Sequence, residues 1–217
     1  LHLGAAAGGE NDSAQEARAR ERFDREAQAV ARLRHPHVIQ VHEFGHHRGV
    51  PYLVMDLIQG ESLEERLGRE GAQDPSVALQ LLGPVAEAVA YAHSQGILHR
   101  DIKPANILID HEGRPYLTDF GLARDLSDER DRLTRSGQLL GTPYYMAPEA
   151  ASGATSAIDA RTDVYALGAV LFQTLTGEPA FVGDSLIELL RSIVSDPATP
   201  PSHVQPGIPP ELDAVVL

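Results

Sequence analysis

The apolar residues of this chain recur with a helical period in several stretches. One stretch covers residues 12–33, where Phe23, Ala27 and Val30 share a face and arginine and glutamate fill the others. Pro36 ends this pattern, because the residue before a proline is pushed out of helical geometry. Further helices are predicted over residues 62–67, 75–94, 157–177 and 186–195, and another begins at residue 211.

Shorter apolar runs between the first helices predict strands. Residues 38–44 and 52–55 form two such runs, and residues 46–49 supply a turn between them. Residues 1–3 resemble the end of another strand, and a loop rich in alanine and glycine follows to about residue 9. The other expected segments are short strands and loops over residues 97–125, a polar loop to about residue 141, and irregular chain over residues 197–210. Together these patterns predict a chain of several helices with a few short strands between them.

Composition narrows the class of partner. The chain has 217 residues, a net charge of −13 and no cysteine. This negative charge argues against nucleic acid and against an anionic membrane surface as partners, and the lack of cysteine excludes a disulfide framework. The longest apolar stretch, near residues 164–175, is too short to cross a bilayer. A cytoplasmic protein is therefore expected.

The most informative residue is Lys103, the only lysine among 18 basic side chains. A lysine is a compact point charge and does not replace arginine's planar fork at a phosphate. Its neighbourhood points to phosphate chemistry, because three short segments of defined composition follow one another in order. These segments are His99-Arg100-Asp101-Ile102-Lys103-Pro104-Ala105-Asn106, then Asp119-Phe120-Gly121, then Ala147-Pro148-Glu149.

Each polar residue in these segments suits one part of phosphoryl transfer from ATP. The reaction needs a hydroxyl held in line with the γ-phosphate, and it needs the developing charge neutralised. Asp101 is the candidate base for the hydroxyl proton, and Lys103 is the candidate cation for the γ-phosphate. Asn106 and Asp119 offer the oxygen ligands that Mg²⁺ prefers, with Mn²⁺ as an alternative ion.

This ordered set is the signature of protein kinases, and from about residue 23 onwards the chain resembles the eukaryotic-like (Hanks-type) serine/threonine kinases of bacteria. The resemblance implies a bilobal α+β fold with a partial β-rich N-lobe and a mostly helical C-lobe, truncated at its C-terminal end. The implied divisions are an N-lobe over residues 1–55, a hinge over 56–61 and a C-lobe over 62–217, with a catalytic loop at 99–106 and an activation segment at 119–149.

The resemblance also assigns roles that the residues alone do not. Thr142 would hydrogen-bond Asp101 and Lys103, and Glu26 would pair with a lysine of the third N-lobe strand. The remaining nucleotide contacts would come from Met55, from backbone groups of Asp56 and Ile58, from Leu108 and from Asp119. Protein serines and threonines are the implied substrates.

Regulation is implied by Arg100, which directly precedes Asp101. In the family this pairing marks enzymes that are activated by phosphorylation of the activation segment, since arginine binds phosphate bidentately. Thr134 and Ser136 are the expected acceptors. We expect them to be autophosphorylated in trans, so a second copy of the kinase is an expected partner.

Two parts of the family pattern do not occur in the sequence. No Gly-rich loop of the form G-x-G-x-x-G-x-V occurs in it, and Glu26 has no second lysine as a partner. Both parts are expected upstream of residue 1, which makes the chain a fragment of a kinase domain, free in the cytoplasm or the cytoplasmic domain of a longer membrane-anchored protein. One alternative is a pseudokinase that serves as a binding scaffold. A less favoured one is a small-molecule phosphotransferase, because such enzymes lack an Ala-Pro-Glu segment like that of residues 147–149.

Overall fold

The computed structural model describes residues 9–121 and 143–217. Its strands are β1 (Val41–His47), β2 (Val50–Met55), β3 (Gly60–Ser62), β4 (Ile107–Asp110) and β5 (Pro115–Leu117). Its helices are α1 (Gly9–Val30), α2 (Leu63–Glu70), α3 (Pro75–Ser94), α4 (Pro148–Ala151), α5 (Ala160–Thr176), α6 (Leu186–Ser195), α7 (Pro201–Val204) and α8 (Asp213–Val216). Short 3₁₀ turns cover Pro104–Asn106, Thr155–Ala157 and Pro210–Leu212.

The N-terminal part combines α1 with a two-stranded antiparallel sheet of β1 and β2. Arg48 and Gly49 form the connection with φ angles of 52° and 83°, the left-handed conformation that a two-residue hairpin favours. This confirms the predicted turn. Helix α1 contacts β1 through the rings of Phe23 and His46, whose centroids lie 5.5 Å apart in an edge-to-face arrangement.

A second antiparallel sheet, in the order β3-β4-β5, lies at the start of the C-terminal part. The chain before β1 runs alongside it. Ile39 donates its backbone N–H to the carbonyl of Leu117 at 3.0 Å, and Leu117 donates to the carbonyl of His37 at 2.8 Å. Because residues 37–39 pair with β5, the strand predicted to begin at residue 38 begins at Val41 instead.

The hydrophobic core extends across both parts and centres on α3, which packs against α5 and β5. Side chains from each part contribute to it. Among those with no measurable exposure are Leu63, Val85, Ala88, Ile107, Leu117 and Val170. This core fixes the loops between α3 and β5, where Asp101, Lys103 and Asn106 lie.

Local signals place most helix ends close to the predicted positions. Helix α3 has the predicted bounds, with Asp74 accepting a hydrogen bond from the Ser76 backbone at its N-terminus. Ser62 forms a capping box with Glu65 at the start of α2. Helix α5 ends at Gly177, which has a φ of 80°.

The differences lie in short or flanking segments. Helix α1 ends at Val30, three residues before the predicted end, and the chain turns before Pro36. Helix α7 lies in the stretch that was predicted to be irregular, so that prediction is wrong over Pro201–Val204. Within the described part of the chain, no helix is long and apolar enough to cross a membrane.

Candidate active site

The segment that carries the candidate base is anchored by Asp163, in the first turn of α5. This carboxylate is 1% exposed, and it accepts backbone hydrogen bonds from His99 and Arg100, both at 2.8 Å. His93 of α3 lies 2.7 Å away and donates from Nε2. Arg100 has a φ of 64°, a conformation that is unfavourable for a residue with a side chain. The bonds to Asp163 hold it there.

His99 is buried and connects the loop to the chain after β5. Its Nε2 lies 2.9 Å from the carbonyl of Thr118, and its Nδ1 accepts the backbone N–H of Asp101 at 3.2 Å. This pattern requires the neutral ring with its proton on Nε2. Burial, which outweighs the attraction of Asp163, lowers the pKa of His99 below its ordinary value. The ring also packs against Phe120 at a centroid distance of 4.5 Å.

Two polar side chains converge on the carboxylate of Asp101. Lys103 Nζ lies 3.0 Å from Asp101 Oδ2. Asn106 Nδ2 donates to the same oxygen at 2.9 Å and to the Asp101 carbonyl at 2.8 Å. Asn106 is buried, in the 3₁₀ turn that leads into β4. The carboxylate is thus held in a defined orientation by one cation and one amide.

Asp119 lies next to this group. Its neighbour Thr118 donates a backbone hydrogen bond to the carbonyl of Asn106 at 3.0 Å, which joins the two segments side by side. Asp119 has a φ of 56° and an exposed side chain. Because both amide protons used by Asn106 point towards Asp101, its Oδ1 is the atom left for a cation. Within residues 9–121 and 143–217, no cluster of three or more His, Asp or Glu side chains suits a metal ion.

The residues expected around the nucleotide base lie at the junction of the two parts. Met55 ends β2, and its sulfur accepts a hydrogen bond from Thr118 Oγ1 at 3.8 Å. Leu108 is half-buried in β4. Asp56 uses its N–H to bond the Gln40 carbonyl at 3.1 Å, and its carboxylate lies 2.7 Å from His42. The backbone carbonyl of Asp56 is therefore the group that remains to bind a nucleotide.

Asp56 and Ile58 also lie beside a second space. They border a cavity of about 360 Å³ on the side of residues 34–40, together with Tyr116. The backbone contacts with a nucleotide that the resemblance implies for Asp56 and Ile58 stay a prediction.

Glu26 of α1 has a partner that the sequence did not predict. Its Oε1 lies 3.5 Å from Arg100 Nη1, where the resemblance assigns a lysine. Two further contacts were also missed, Thr162 Oγ1 to Glu149 Oε1 at 2.6 Å and His93 to Asp163. Residues 13 to 74 positions apart make these contacts, and no local pattern marks them. The predicted residues Thr134, Ser136 and Thr142 lie outside the described residues.

Comparison with known families identifies the fold. The model of the protein kinase domain matches residues 9–207. The chain belongs to the protein kinase family. The serine/threonine-protein kinase PknB of Mycolicibacterium smegmatis is 40% identical to it over 200 residues, which cover 90% of this chain and 32% of that protein. A probable serine/threonine-protein kinase of Corynebacterium efficiens is 39% identical over 214 residues, 95% of this chain and 32% of that protein.

The similarity to these kinases covers most of this chain but only part of each relative. The chain spans about a third of the length of these curated kinases. A crystal structure of Rad53 in complex with AMP-PNP superposes with a TM-score of 0.72 at 26% identity, covering 91% of this chain and 50% of that one. The predicted kinase fold is thereby confirmed, with a small sheet in the N-terminal part and a mostly helical later part.

Proposed function

We propose that this chain carries the catalytic machinery of a serine/threonine protein kinase, which transfers the γ-phosphoryl group of ATP to serine or threonine hydroxyls of proteins. The observation that carries the proposal is the carboxylate of Asp101, which Lys103 and Asn106 hold from two sides. The similarity to the bacterial serine/threonine kinases supports the choice of acceptor residue.

In the proposed step, a substrate hydroxyl binds beside Asp101, which orients it and accepts its proton. The hydroxyl oxygen forms a bond to the γ-phosphorus while the bond from that phosphorus to the bridging oxygen of ADP breaks. Lys103, 3.0 Å from the base, offsets the negative charge that spreads over the transferred group. Thr142 is proposed to hydrogen-bond Asp101 and Lys103.

Asn106 and Asp119 are the proposed ligands for Mg²⁺ or Mn²⁺. Their oxygens are of the type these ions prefer, and the fixed amide of Asn106 presents oxygen rather than nitrogen. When bound, the ion would neutralise phosphate charge and fix the phosphate geometry. Two protein ligands are enough, because such ions take phosphate oxygens and water for their other positions.

The nucleotide is proposed to bind between residues 1–55 and residues 62–217, with residues 56–61 as the hinge. AMP-PNP, a nucleoside triphosphate analogue, is present in the Rad53 structure and supports ATP as the ligand. Met55, Leu108 and the backbone of Asp56 and Ile58 are proposed to contact the base. Glu26 is proposed to position the phosphates through a strand lysine.

Regulation is part of the same proposal. Arg100 is proposed to bind a phosphate on Thr134 or Ser136, placed there by a second copy of the kinase. A cytoplasmic location is also proposed, either for a free protein or for the cytoplasmic part of a membrane-anchored one.

The role of Asp119 provides the test. We expect Asp119→Ala in the full chain encoded by the gene to weaken binding of Mg·ATP and to abolish transfer to a generic protein substrate, because the phosphates lose a metal ligand. Isothermal titration with and without Mg²⁺ measures the binding, and γ-labelled ATP measures the transfer. Glu112→Gln, which changes an exposed acid, is the matched control. Unchanged Mg·ATP binding in the Asp119 variant would refute its role as a metal ligand.

A second candidate, a pseudokinase scaffold, has one observation in its favour, since Glu26 contacts Arg100 rather than a lysine. A scaffold predicts nucleotide binding without transfer in the unaltered protein. The arrangement of Asp101, Lys103 and Asn106 favours the enzyme, because a binding module does not require a positioned base.

A further inference from the structure

Two histidines attach the connection between α1 and β1 to the C-terminal part. The ring of His35 stacks on Tyr91 of α3 at a centroid distance of 5.3 Å, and the Tyr91 hydroxyl accepts the backbone N–H of Arg34 at 3.1 Å. His37 donates from Nδ1 to the carbonyl of Pro115, the first residue of β5, at 2.8 Å. These contacts tie the chain that follows α1 to α3 on one side and to β5 on the other.

The hydrogen bonds of the two rings specify where their protons lie. The Nδ1 of His35 accepts the backbone N–H of His37 at 3.2 Å, so His35 must be neutral with its own proton on Nε2. His37 donates from Nδ1 and leaves Nε2 for a second proton. His37 can therefore become charged and keep its bond to Pro115, whereas a proton on Nδ1 of His35 would face another N–H.

The surroundings of His35 also oppose a positive charge. The side chain is half-buried, and burial lowers the pKa of His35 below its ordinary value of 6.5. His37, whose ring centroid lies 5.9 Å away, lowers that pKa further, and Glu87 of α3 offsets part of the shift. The other polar or charged groups around the two rings are Arg34, Tyr91, Tyr116 and, across the cavity beside residues 34–40, Asp56, which is paired with His42.

We infer that His35 and His37 form a pH-sensitive switch, at which a proton on His35 loosens the attachment of this connection to β5. The proton removes the acceptor for the His37 backbone, and a charge on His37 adds repulsion between the rings. Stacking on Tyr91 suits the charged ring as well as the neutral one, so the change occurs on the side of β5. Because the neutral ring is the one that fits, the attachment is complete above about pH 6.5 and weakens below it.

The switch does not depend on the proposed function, because it requires neither nucleotide nor substrate. For the proposed kinase, its consequence is that acid loosens the segment through which α1, the helix that carries Glu26, continues into β1.

Hydrogen exchange of the full chain encoded by the gene, measured by mass spectrometry at pH 7.5 and pH 5.5, tests the switch. After correction for the intrinsic pH dependence of exchange, we expect peptides covering residues 35–40 to exchange about fivefold faster at pH 5.5, the shift that loss of one ordinary hydrogen bond gives. His35→Asn should abolish this rise, because an amide oxygen can replace Nδ1 as acceptor and does not titrate. His111→Asn, which changes an exposed histidine in the turn between β4 and β5, is the matched control and should respond as the unaltered chain does.

A second variant separates the roles of the two rings. His37→Asn keeps an N–H donor for Pro115 but takes up no second proton. We expect its exchange to rise less than that of the unaltered chain, because the repulsion that disfavours charged His35 is gone. The slow exchange at the ring carbon of each histidine, followed against pH in the same experiment, gives the pKa of His35 directly.

Three results would overturn the inference. Equal exchange at the two pH values would show that the attachment is not pH-sensitive, and an undiminished rise in His35→Asn would show that another group is responsible. A His35 ring that titrates at or above the exposed His111 would show that the fold does not oppose its charge. A rise of the same size over the buried helix α3 would also refute the switch, because it would report unfolding of the whole domain.

Discussion

The two sides of the active site are held in different ways. On the C-terminal side, residues 99–106 are held by buried hydrogen bonds to Asp163 and Thr118 and by partly buried ones to one another. On the N-terminal side, Glu26 of α1 reaches Arg100 with a longer ion pair of 3.5 Å between partly exposed groups. Buried hydrogen-bonded networks define a single arrangement, whereas a weak exposed pair is easily exchanged. We therefore expect Asp101 to be held in one place and the contact between Glu26 and Arg100 to be exchangeable.

The largest effect should come from removing the anchor of the fixed side. Asp163→Ala leaves two backbone N–H groups and His93 without their acceptor, and each buried unsatisfied group costs about 1–3 kcal/mol. We expect a loss of about 2–5 kcal/mol in the free energy of unfolding, measured by urea denaturation. Transfer activity should fall with it, because the left-handed Arg100 loses its support.

Asp159→Ala is the matched control for this variant. Asp159 caps the same helix, but its side chain is half exposed, and among residues 9–121 and 143–217 it bonds only to Arg161. Asp159→Ala should lower the free energy of unfolding clearly less than Asp163→Ala does, and it should leave transfer activity intact. Equal losses in the two variants would mean that Asp163 acts only as part of α5.

A smaller effect should follow from pH. The pKa of His99 in the folded chain lies below its ordinary value of 6.5 because of burial, so the unfolded chain binds more protons as the pH falls through about 6.5. The contribution of His99 to the free energy of unfolding should therefore be fully present above pH 6.5 and decline below it. Melting temperatures measured between pH 8 and pH 5 follow this decline. In the His99→Gln variant the melting temperature should fall less steeply over the same range. Equal slopes would show that His99 is not buried in its neutral form.

Sequence patterns predicted best what local chemistry determines. The bounds of α3 follow from Asp74-Pro75 at one end and the glycine after the other, and α6 has the predicted bounds with Ser185 as its cap. The start of β1 was placed too early, because residues 37–39 pair with β5 nearly 80 positions later. Pairing over such a distance leaves no mark on a local hydrophobic period.

The same distinction applies to the site. Asp101, Lys103 and Asn106 stand within six positions of one another, and the structure brings them together. The Glu26–Arg100 pair depends on how α1 packs across the loop, and a resemblance to other kinases assigned Glu26 a different partner. The roles of these residues stay predictions. Local sequence patterns indicated the grouping of Asp101, Lys103 and Asn106, and they did not indicate the contact between Glu26 and Arg100.

The central claim is that Asp101 is the base for phosphoryl transfer. It is tested most directly by measuring transfer by the full chain encoded by the gene and by its Asp101→Asn variant. After incubation with Mg·ATP, mass spectrometry locates phosphate on the chain and on a generic protein substrate, and titration measures nucleotide binding. We predict phosphoserine and phosphothreonine with the unaltered chain. With Asp101→Asn we predict transfer reduced by about 10²–10⁴-fold, the share that a positioned base supplies, and nearly unchanged binding. Full transfer by the variant, or binding without transfer in the unaltered chain, would contradict the account.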